Sequence, residues 1–322
     1  MIRLNSEITI GNLRFTFVTN LQINKSWETL TDTAIIELPN KITRKNQQIK
    51  DIIKVNDQVT IKLGYHPNLV TRFTGYVSKI VPESPLKVMC EDEAFKLKQE
   101  FLESYSKKPV TLETLIKDNY SGEIKVSDCD LGGFSIEKGS TMIQVLQELQ
   151  TTYKLYSYFR NGILNVGLPY DGTGVTKQFK FQRNIIDGSN LQLTDESELQ
   201  TVAYGISTLS DGSKIELYTY YENGQIKTSE KNPGGNLNTM KIPGLSKAKL
   251  TTLLERWLPN LHYTGFQGSF ETFGEPIVDH GDFAEISDLK FPEKDGKYLI
   301  KSIVISFGIN GYRQNITLDR KI

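Results

Sequence analysis

The side chains best suited to chemistry in this sequence lie close together between positions 271 and 282. They are Glu271, Glu275, Asp279, His280 and Asp282. Carboxylates beside an imidazole could bind a metal ion or share a proton in acid-base catalysis. The same pattern is typical of a turn at Gly281 that precedes a strand, with its acids on the solvated side. Nothing in the sequence orients the group, so we favour the turn.

Other catalytic motifs are missing from the sequence. The histidines, His66, His262 and His280, lack the His-Glu-x-x-His spacing that places two zinc ligands on one helical face. The Gly-Gly pairs at 132–133 and 234–235 lack the strand, Lys and Ser/Thr of a phosphate loop. No Gly-x-Ser-x-Gly elbow occurs. We therefore predict no catalytic residues, and the protein is not expected to be an enzyme.

The cysteines and the charge narrow the function further. Cys90 and Cys129 are too few for a disulfide framework and too far apart for a zinc or redox pair, so no metal and no cofactor are expected. Lys and Arg (38) balance Asp and Glu (38). A chain without net charge has no long-range attraction for nucleic acid or an anionic membrane. Nonspecific DNA binding and membrane binding are thus not expected.

The ends and the apolar stretches of the 322-residue chain indicate a soluble protein made in a cytoplasm. Residues 1–6 lack the apolar core of a signal peptide, and the stretch Ile303–Ile309 is far too short for a membrane span. Tyr (15) and Phe (15) are plentiful, and aromatic residues favour strands and interfaces. The composition suits a β-rich assembly component.

The first ninety residues are predicted to form mostly strands. Leu13–Val18 alternates apolar and polar residues, and Ala34–Leu38 is a second strand that ends at Pro39. The basic, polar insertion Lys41–Lys50 is expected to be a surface loop, with contact to a partner as the alternative.

Helices and short strands are predicted from Glu91 to about Tyr170. Thr111 can cap one helix, and Thr141 with Gln144 has the spacing of a capping box for a second helix. The second helix carries one apolar face, formed by Met142, Val145, Leu146, Leu149 and Tyr153. Asn161-Gly162 indicates a type I′ hairpin. This small αβ module is expected to decorate the first barrel.

Strands resume after a predicted linker at residues 171–174. A meander is predicted over Ala203–Thr228, and residues 232–236 should form a loop. Ser246 then caps a helix that is expected to stop at Pro259. Its apolar stripe, a core face, comprises Leu250, Leu253, Leu254, Trp257 and Leu258.

One sequence pattern occurs twice. Val55-Asn56-Asp57, the strand Gln58–Leu63 and the segment Thr71–Ile80 have counterparts in His280-Gly281-Asp282, Phe283–Ile286 and Gly296–Ile303. A separation this large indicates duplicated domains, because solenoid repeats recur every 20 to 50 residues, roughly. The fold class predicted is mainly β with α+β insertions. It comprises a first β-barrel domain (1–95), an αβ module (96–170) and a second β-barrel domain (171–322) with a helical insertion near 246–258.

Four segments give the sequence a resemblance to a known family. They are Ser26–Ala34, Gly75–Ile80, the module from Glu137 to Leu164, and Gly311–Ile316. Together with the duplication they resemble the baseplate or tail hub proteins of long-tailed phages. That family includes the Mu-type and T-even-type hubs, the late control protein D family and the base of type VI secretion spikes.

The resemblance implies a structural role in a virion tail or baseplate, or in a related prophage or secretion device. In that family two barrels per subunit assemble as a homotrimer, which gives a pseudo-sixfold ring between a tail tube and a central spike. The implied partners are the spike, the tube and other baseplate proteins. DNA or a tape-measure protein could pass through the channel without sequence-specific binding. The family motif carries no catalytic residues.

Five aromatic residues are candidates for barrel cores or subunit contacts: Trp27, Tyr65, Tyr76, Tyr298 and Tyr312. Two other functions remain open at this point. Exposed Tyr and Trp could stack on sugars in a receptor-binding or carbohydrate-binding tail protein. Paired acids could serve a cell-wall-degrading tail enzyme.

Overall fold

The computed structural model describes residues 3–42, 47–168, 174–188, 190–194 and 200–322. The predicted linker at 171–174 therefore lies outside the described residues except for Gly174, and so does the centre of the basic insertion. None of the described helices is both long and apolar enough to cross a membrane.

Residues 3–91, here called the first half, form antiparallel strands. The strands are β1 (Leu4–Ile10), β2 (Leu13–Phe15), β3 (Asn20–Ser26), β4 (Thr33–Leu38), β5 (Lys41–Ile42), β6 (Gln47–Gln48), β7 (Gln58–Tyr65), β8 (Val70–Val81) and β9 (Leu86–Glu91), with a 3-10 turn at Ile49–Asp51. β5 and β6 pair with each other, so the basic insertion includes a short strand pair where a loop was expected.

Residues 94–167, here called the module, mix helices and strands. They form α1 (Ala94–Leu97), β10 (Tyr105–Thr111), α2 (Leu112–Asn119), β11 (Ile124–Val126), β12 (Asp130–Ile136), α3 (Met142–Tyr153), β13 (Tyr156–Arg160) and β14 (Ile163–Gly167). The predicted cap is confirmed, because the Thr111 side chain accepts a hydrogen bond from the N–H of Thr114. The predicted hairpin is confirmed as well, since Asn161 and Gly162 both have positive φ.

Residues 174–322, here called the second half, contain the remaining elements. They are β15 (Thr176–Lys180), β16 (Ile185–Asp187), β17 (Gln192–Thr194), β18 (Thr201–Thr208), β19 (Lys214–Glu222), β20 (Gln225–Ser229), β21 (Asn236–Lys241), α4 (Lys247–Leu261), β22 (Gly265–Gln267), β23 (Ser269–Phe273), β24 (Phe283–Ser287), β25 (Gly296–Gly308) and β26 (Gly311–Lys321), with a 3-10 turn at Pro292–Lys294. The mainly β fold with small helical insertions is confirmed.

One large sheet runs through both halves. Its strand order is β16-β23-β26-β25-β3-β4-β9-β8-β7-β1-β2, and β15 adds to it in parallel beside β24. The hydrophobic core under this sheet takes residues from both halves. Its buried members include Ile8, Leu21, Ile23 and Val88 from the first half and Phe179, Phe270, Ile303 and Ile316 from the second.

A second hydrophobic core joins the module to the segment between β17 and β22, which contains β18–β21 and α4. Leu112, Leu146 and Leu149 of the module lie in the same apolar cluster as Leu250 and Leu254 of α4. The module was expected to decorate the first barrel, but its apolar faces pack instead against the sheet β18–β21 and α4. The predicted domain boundaries at 95 and 170 stay predictions.

The end of α4 differs from the prediction. The helix continues through Pro259 to Leu261. A proline beyond the first turn removes the hydrogen bond to the carbonyl four residues earlier, and α4 extends only two residues past this proline. The Pro259 carbonyl also accepts a hydrogen bond of 2.8 Å from Arg320 Nη1, which fixes the end of the helix.

Candidate functional site at the junction of the two halves

The two halves contain the same turn. Lys54–Asp57 and Asp279–Asp282 each have a left-handed third residue, Asn56 (φ 75°) and Gly281 (φ 78°). In each turn the carboxylate of the last residue accepts a hydrogen bond of 2.8 Å from the N–H of the first. Asn and Gly are the residues that adopt a left-handed backbone most readily. The two turns are therefore equivalent in backbone and in hydrogen bonding.

The strands that follow the turns are equivalent as well. Val77 of β8 and Ile300 of β25 each donate their N–H, at 2.9 Å, to the carbonyl of the last residue of the turn. Directly after them, at Ser78 and Lys301, the register against β9 and β26 shifts by one residue. The sequence pattern that occurs twice therefore forms the same turn and the same bulged strand in both halves.

The halves meet edge to edge through β25 and β3. Residues Ser302–Gly308 of β25 pair antiparallel with Asn20–Ser26 of β3. One backbone ladder therefore joins two equivalent units, and side chains around this junction are the candidate site.

Charged residues are concentrated beneath the junction. Lys25 Nζ lies 2.5 Å from Asp279 Oδ2 and 3.8 Å from Asp32 Oδ2. His280 Nε2 lies 3.5 Å from the same Asp32 oxygen. Lys25 and Asp32 belong to the first half and the other two residues to the second, so the Lys25–Asp279 and Asp32–His280 contacts cross the junction.

A second ion pair connects the module to the second half. Arg160 Nη2, in β13, donates to Asp282 Oδ1 at 2.5 Å. The same oxygen accepts a hydrogen bond of 3.0 Å from the N–H of Val175. Asp282 thus holds its own turn, the start of β15 and the module together.

Arg72 provides a third connection. This buried residue of β8 donates to the Tyr312 hydroxyl (3.1 Å), the Val278 carbonyl (3.1 Å) and Gln314 Oε1 (2.9 Å). All three acceptors belong to the second half. A buried guanidinium with several acceptors fixes the orientation of the units it joins.

Two acids at the junction, half-buried Asp279 and buried Asp92, have pKa values shifted in opposite directions. Burial alone would raise the pKa of Asp279, but the charges of Lys25 and His280 outweigh burial and hold it well below its usual range. The pKa of Asp92 is raised well above its usual range by burial and by the nearby charge of Asp32. The shifts are opposite because Asp279 lies directly against Lys25, whereas Asp92 lies near the like charge of Asp32.

The structure brings together three of the five residues in the predicted acid and histidine cluster. Asp279, His280 and Asp282 share the turn, whereas Glu271 lies 3.6 Å from Arg313 and Glu275 is exposed elsewhere. The turn at Gly281 is confirmed. The expectation that its acids face solvent is wrong for Asp282, which is buried because the module and the first half cover this turn. The equivalent Asp57 is half-buried.

The geometry of the cluster suits a structural role. His280 is only 1% exposed, and its ring packs edge-on against Tyr158 at 4.9 Å. A general base must come within hydrogen-bond reach of its substrate, and His280 is covered on all sides. Within the described residues, no group of three or more His, Cys, Asp or Glu is arranged to hold a metal ion.

Three of the five aromatic candidates are buried. Tyr298 and Tyr312 are fully buried in the core shared by the halves. Trp27 lies at the junction, edge-on to Tyr156 at 4.8 Å. The other two are half-buried: Tyr65 packs against Tyr312 at 5.7 Å, and Tyr76 lies in β8 of the first half. Their predicted part in subunit contacts stays a prediction.

Sequence reasoning missed the cations of the junction. Lys25 and Arg72 lie within strands, and Arg160 ends one. A charged residue inside a strand with buried neighbours was the available signal, since such residues are rarely buried without a partner.

Comparisons with known proteins add to this geometry. No protein-family model matches the sequence. No curated protein matches it either. Solved structures do match over nearly the whole chain. A tail protein from Neisseria meningitidis MC58 is 12% identical, with a TM-score of 0.63, over 98% of this chain and 96% of the other.

Two further structures have the same fold. The 43 kDa tail protein of prophage MuSo2 from Shewanella oneidensis is 14% identical over 98% of both chains, with a TM-score of 0.61. An E. coli component of the type VI secretion system, described as similar to the T4 tail proteins gp27 and gp5, is 9% identical. It matches 98% of this chain and 77% of its own length, with a TM-score of 0.61.

The fold is therefore that of phage tail proteins and type VI secretion components. In particular, it is the fold of a Mu-like prophage tail protein and of a secretion component that is similar to gp27 and gp5. The resemblance to tail hub proteins that the sequence suggested is confirmed as a likeness of fold.

Proposed function

We propose that this protein is the hub subunit of a phage tail baseplate or of a related prophage device. Three chains would form a ring with pseudo-sixfold symmetry that joins the tail tube to the central spike. The observation that carries the proposal is the edge-to-edge pairing of two equivalent units through β25 and β3. In such a ring, the two equivalent units of each chain would occupy two adjacent positions.

The reasoning from this pairing to a trimer is geometric. Head-to-tail contacts close into rings when the rotation between neighbours divides a full turn evenly. If the contact between chains repeats the contact within a chain, three chains supply six positions. A sixfold tube could then meet a threefold spike without a change in the tube.

The proposed partners follow from this position. They are two further copies of the chain, a spike protein, the tail tube and other baseplate proteins, as in the late control protein D family. Tail proteins and a secretion component with the same fold support a location in the virion tail or baseplate. The similar structures also include VgrG in complex with PdpA.

The proposed role is non-enzymatic, because the residues best suited to catalysis are engaged in structural contacts at the junction. The zero net charge is compatible with passage of DNA or a tape-measure protein, since a strongly positive lumen would hold phosphates.

Two alternatives lose support from the structure. Sugar binding relied on exposed aromatic rings, but Trp27 and Trp257 are 4% and 7% exposed. A cell-wall-degrading enzyme needs two carboxyl groups facing a common cleft. The junction carboxylates are instead bound to Lys25 and Arg160.

Solution mass across a concentration series, followed by negative-stain images of any oligomer, tests the proposal. A trimer with six lobes around a central hole is expected. A chain that stays monomeric at every concentration, or a ring with another number of lobes, would overturn the proposed trimer.

A further inference from the structure

After Ser78, one edge of β8 in the first half has no partner strand among the described residues, whereas the equivalent edge of β25 in the second half pairs with β3. In β25, residues beyond the bulge at Lys301 pair on one side with β26 and on the other with β3. The equivalent residues of β8 follow Ser78. Among the described residues, Lys79–Val81 pair with β9 alone, because β7 pairs with β8 only up to Tyr76.

Within the described part of the second half, the strand equivalent to β3 also has a free edge. In the first half, β3 pairs with β4, and β4 pairs with β9. In the second half, β16 pairs with β23 and β17 pairs with β22, and both β23 and β22 pair with β26. Strands β16 and β17 therefore occupy the position of β3. Leu191 and Ile23 both point into the shared core. Aligning these two core residues places Gln192 at the position of Asn24.

We infer that β8 of one subunit pairs antiparallel with β17 of the next, and that this ladder closes the ring. The inference rests on the proposed trimer and names the surfaces that form it. Within the chain, Ser302, Ile303 and Val304 lie opposite Ser26, Lys25 and Asn24. The same register between chains places Lys79 opposite Thr194, Ile80 opposite Leu193 and Val81 opposite Gln192.

Exposure at these positions agrees with a covered edge. Leu193 is 39% exposed, which is high for a leucine in a strand, and it would meet Ile80. An unpaired strand edge is a template for another strand. The proline at position 82 has no N–H to donate, so the ladder should end after Val81. We assign a second copy as the occupant because it carries β17, the strand that matches β3.

A disulfide tests this register. The double variant Val81→Cys with Gln192→Cys should form intermolecular disulfides under mild oxidation, with a covalent trimer as the largest product on a non-reducing gel. Paired cysteines must lie about 4.4–6.8 Å apart at Cα, a condition that directly opposed residues meet. Cys90 and Cys129 are buried and stay in place. Each single variant should give no trimer.

Two double variants serve as controls. Asn24→Cys with Val304→Cys places the cysteines at the equivalent positions within one chain, so it should oxidise without any gain in mass. Val81→Cys with Thr194→Cys moves one cysteine along the strand by two residues. Diagonal neighbours are about 7–8 Å apart, so this variant should cross-link far less.

The outcomes separate the inference from the proposed function. A wild-type trimer in which Val81→Cys with Gln192→Cys fails to cross-link overturns the strand pairing and leaves the trimer standing. Stronger cross-linking of the offset pair overturns the register. A monomer at every concentration, with only the internal control disulfide formed, overturns both. Products larger than a trimer show an open chain of subunits and overturn the closed ring.

Discussion

The turns Lys54–Asp57 and Asp279–Asp282 have the same backbone but opposite surroundings. Both have a left-handed third residue and the same carboxylate to N–H bond. The first turn lies at the surface, whereas His280 and Asp282 of the second are buried under the module and the first half.

The comparison separates the contacts that form the turn from the contacts that stabilise the junction. Local hydrogen bonds are sufficient for the turn, since Lys54–Asp57 forms it without burial. The additional contacts of Asp279–Asp282, to Lys25 and Arg160, then belong to the assembly of the chain. Replacing equivalent residues in the two turns measures this second contribution.

The largest difference is expected between Asp282→Ala and Asp57→Ala. Loss of the Asp282 carboxylate leaves Arg160 and two backbone N–H groups without their acceptor, which should lower the free energy of unfolding by about 3–5 kcal/mol. Loss of Asp57 removes one exposed hydrogen bond, at a cost of about 1 kcal/mol. Urea denaturation measures both, and equal losses would show that burial of the second turn adds nothing.

A pH series should distinguish Asp279 from Asp92 at the junction. The lowered pKa of Asp279 stabilises the fold above the unfolded value of about 3.9, and that stability is lost as pH falls below it. The raised pKa of Asp92 has the opposite sign, because stability falls as pH rises from about 3.9 through the folded value.

The measurement is the free energy of unfolding of wild type, Asp279→Asn and Asp92→Asn across the acid range. Asp279→Asn should weaken the loss of stability on acidification. Asp92→Asn should reduce the decline in stability as the pH rises above about 3.9. Parallel profiles for all three proteins would contradict both assignments.

A smaller effect is expected at the left-handed residues. Gly281→Ala should lower the free energy of unfolding by about 1–2 kcal/mol, because the strain of a left-handed residue falls on the new side chain. A Cβ at Gly281 would meet only ordinary contacts, the nearest being Arg160 Nη1 at 3.7 Å. The control Asn56→Gly should change the free energy of unfolding by less than about 0.5 kcal/mol. A tolerated Gly281→Ala would mean that the turn can relax.

Much of the local structure could be predicted from the sequence. The capped helix Met142–Tyr153 and the hairpin at Asn161-Gly162 depend on residues near in sequence. The duplicated turn was visible because Asn56 and Gly281 meet the same backbone requirement. Local patterns of this kind carry their own physical cause.

The junction could not be predicted in the same way. Lys25 and Asp279 are 254 positions apart, and neither has a neighbour in sequence that indicates the other. The acids of Asp279–Asp282 looked like those of any surface turn, because burial depends on what the rest of the chain places over them. The pairing of β25 with β3 was hidden for the same reason.

The smallest effects are expected at the equivalent bulges. Lys301 Nζ lies 2.8 Å from Glu28 Oε1, with side chains 31% and 40% exposed, so Lys301→Ala should cost about 0–1 kcal/mol and less at high salt. Ser78→Ala removes a hydrogen bond to the Met89 carbonyl and should cost a similar amount. Urea denaturation at low and high salt checks both. A loss above about 2 kcal/mol for Lys301→Ala alone would mean that the bulge of the second half, like its turn, contributes to the junction.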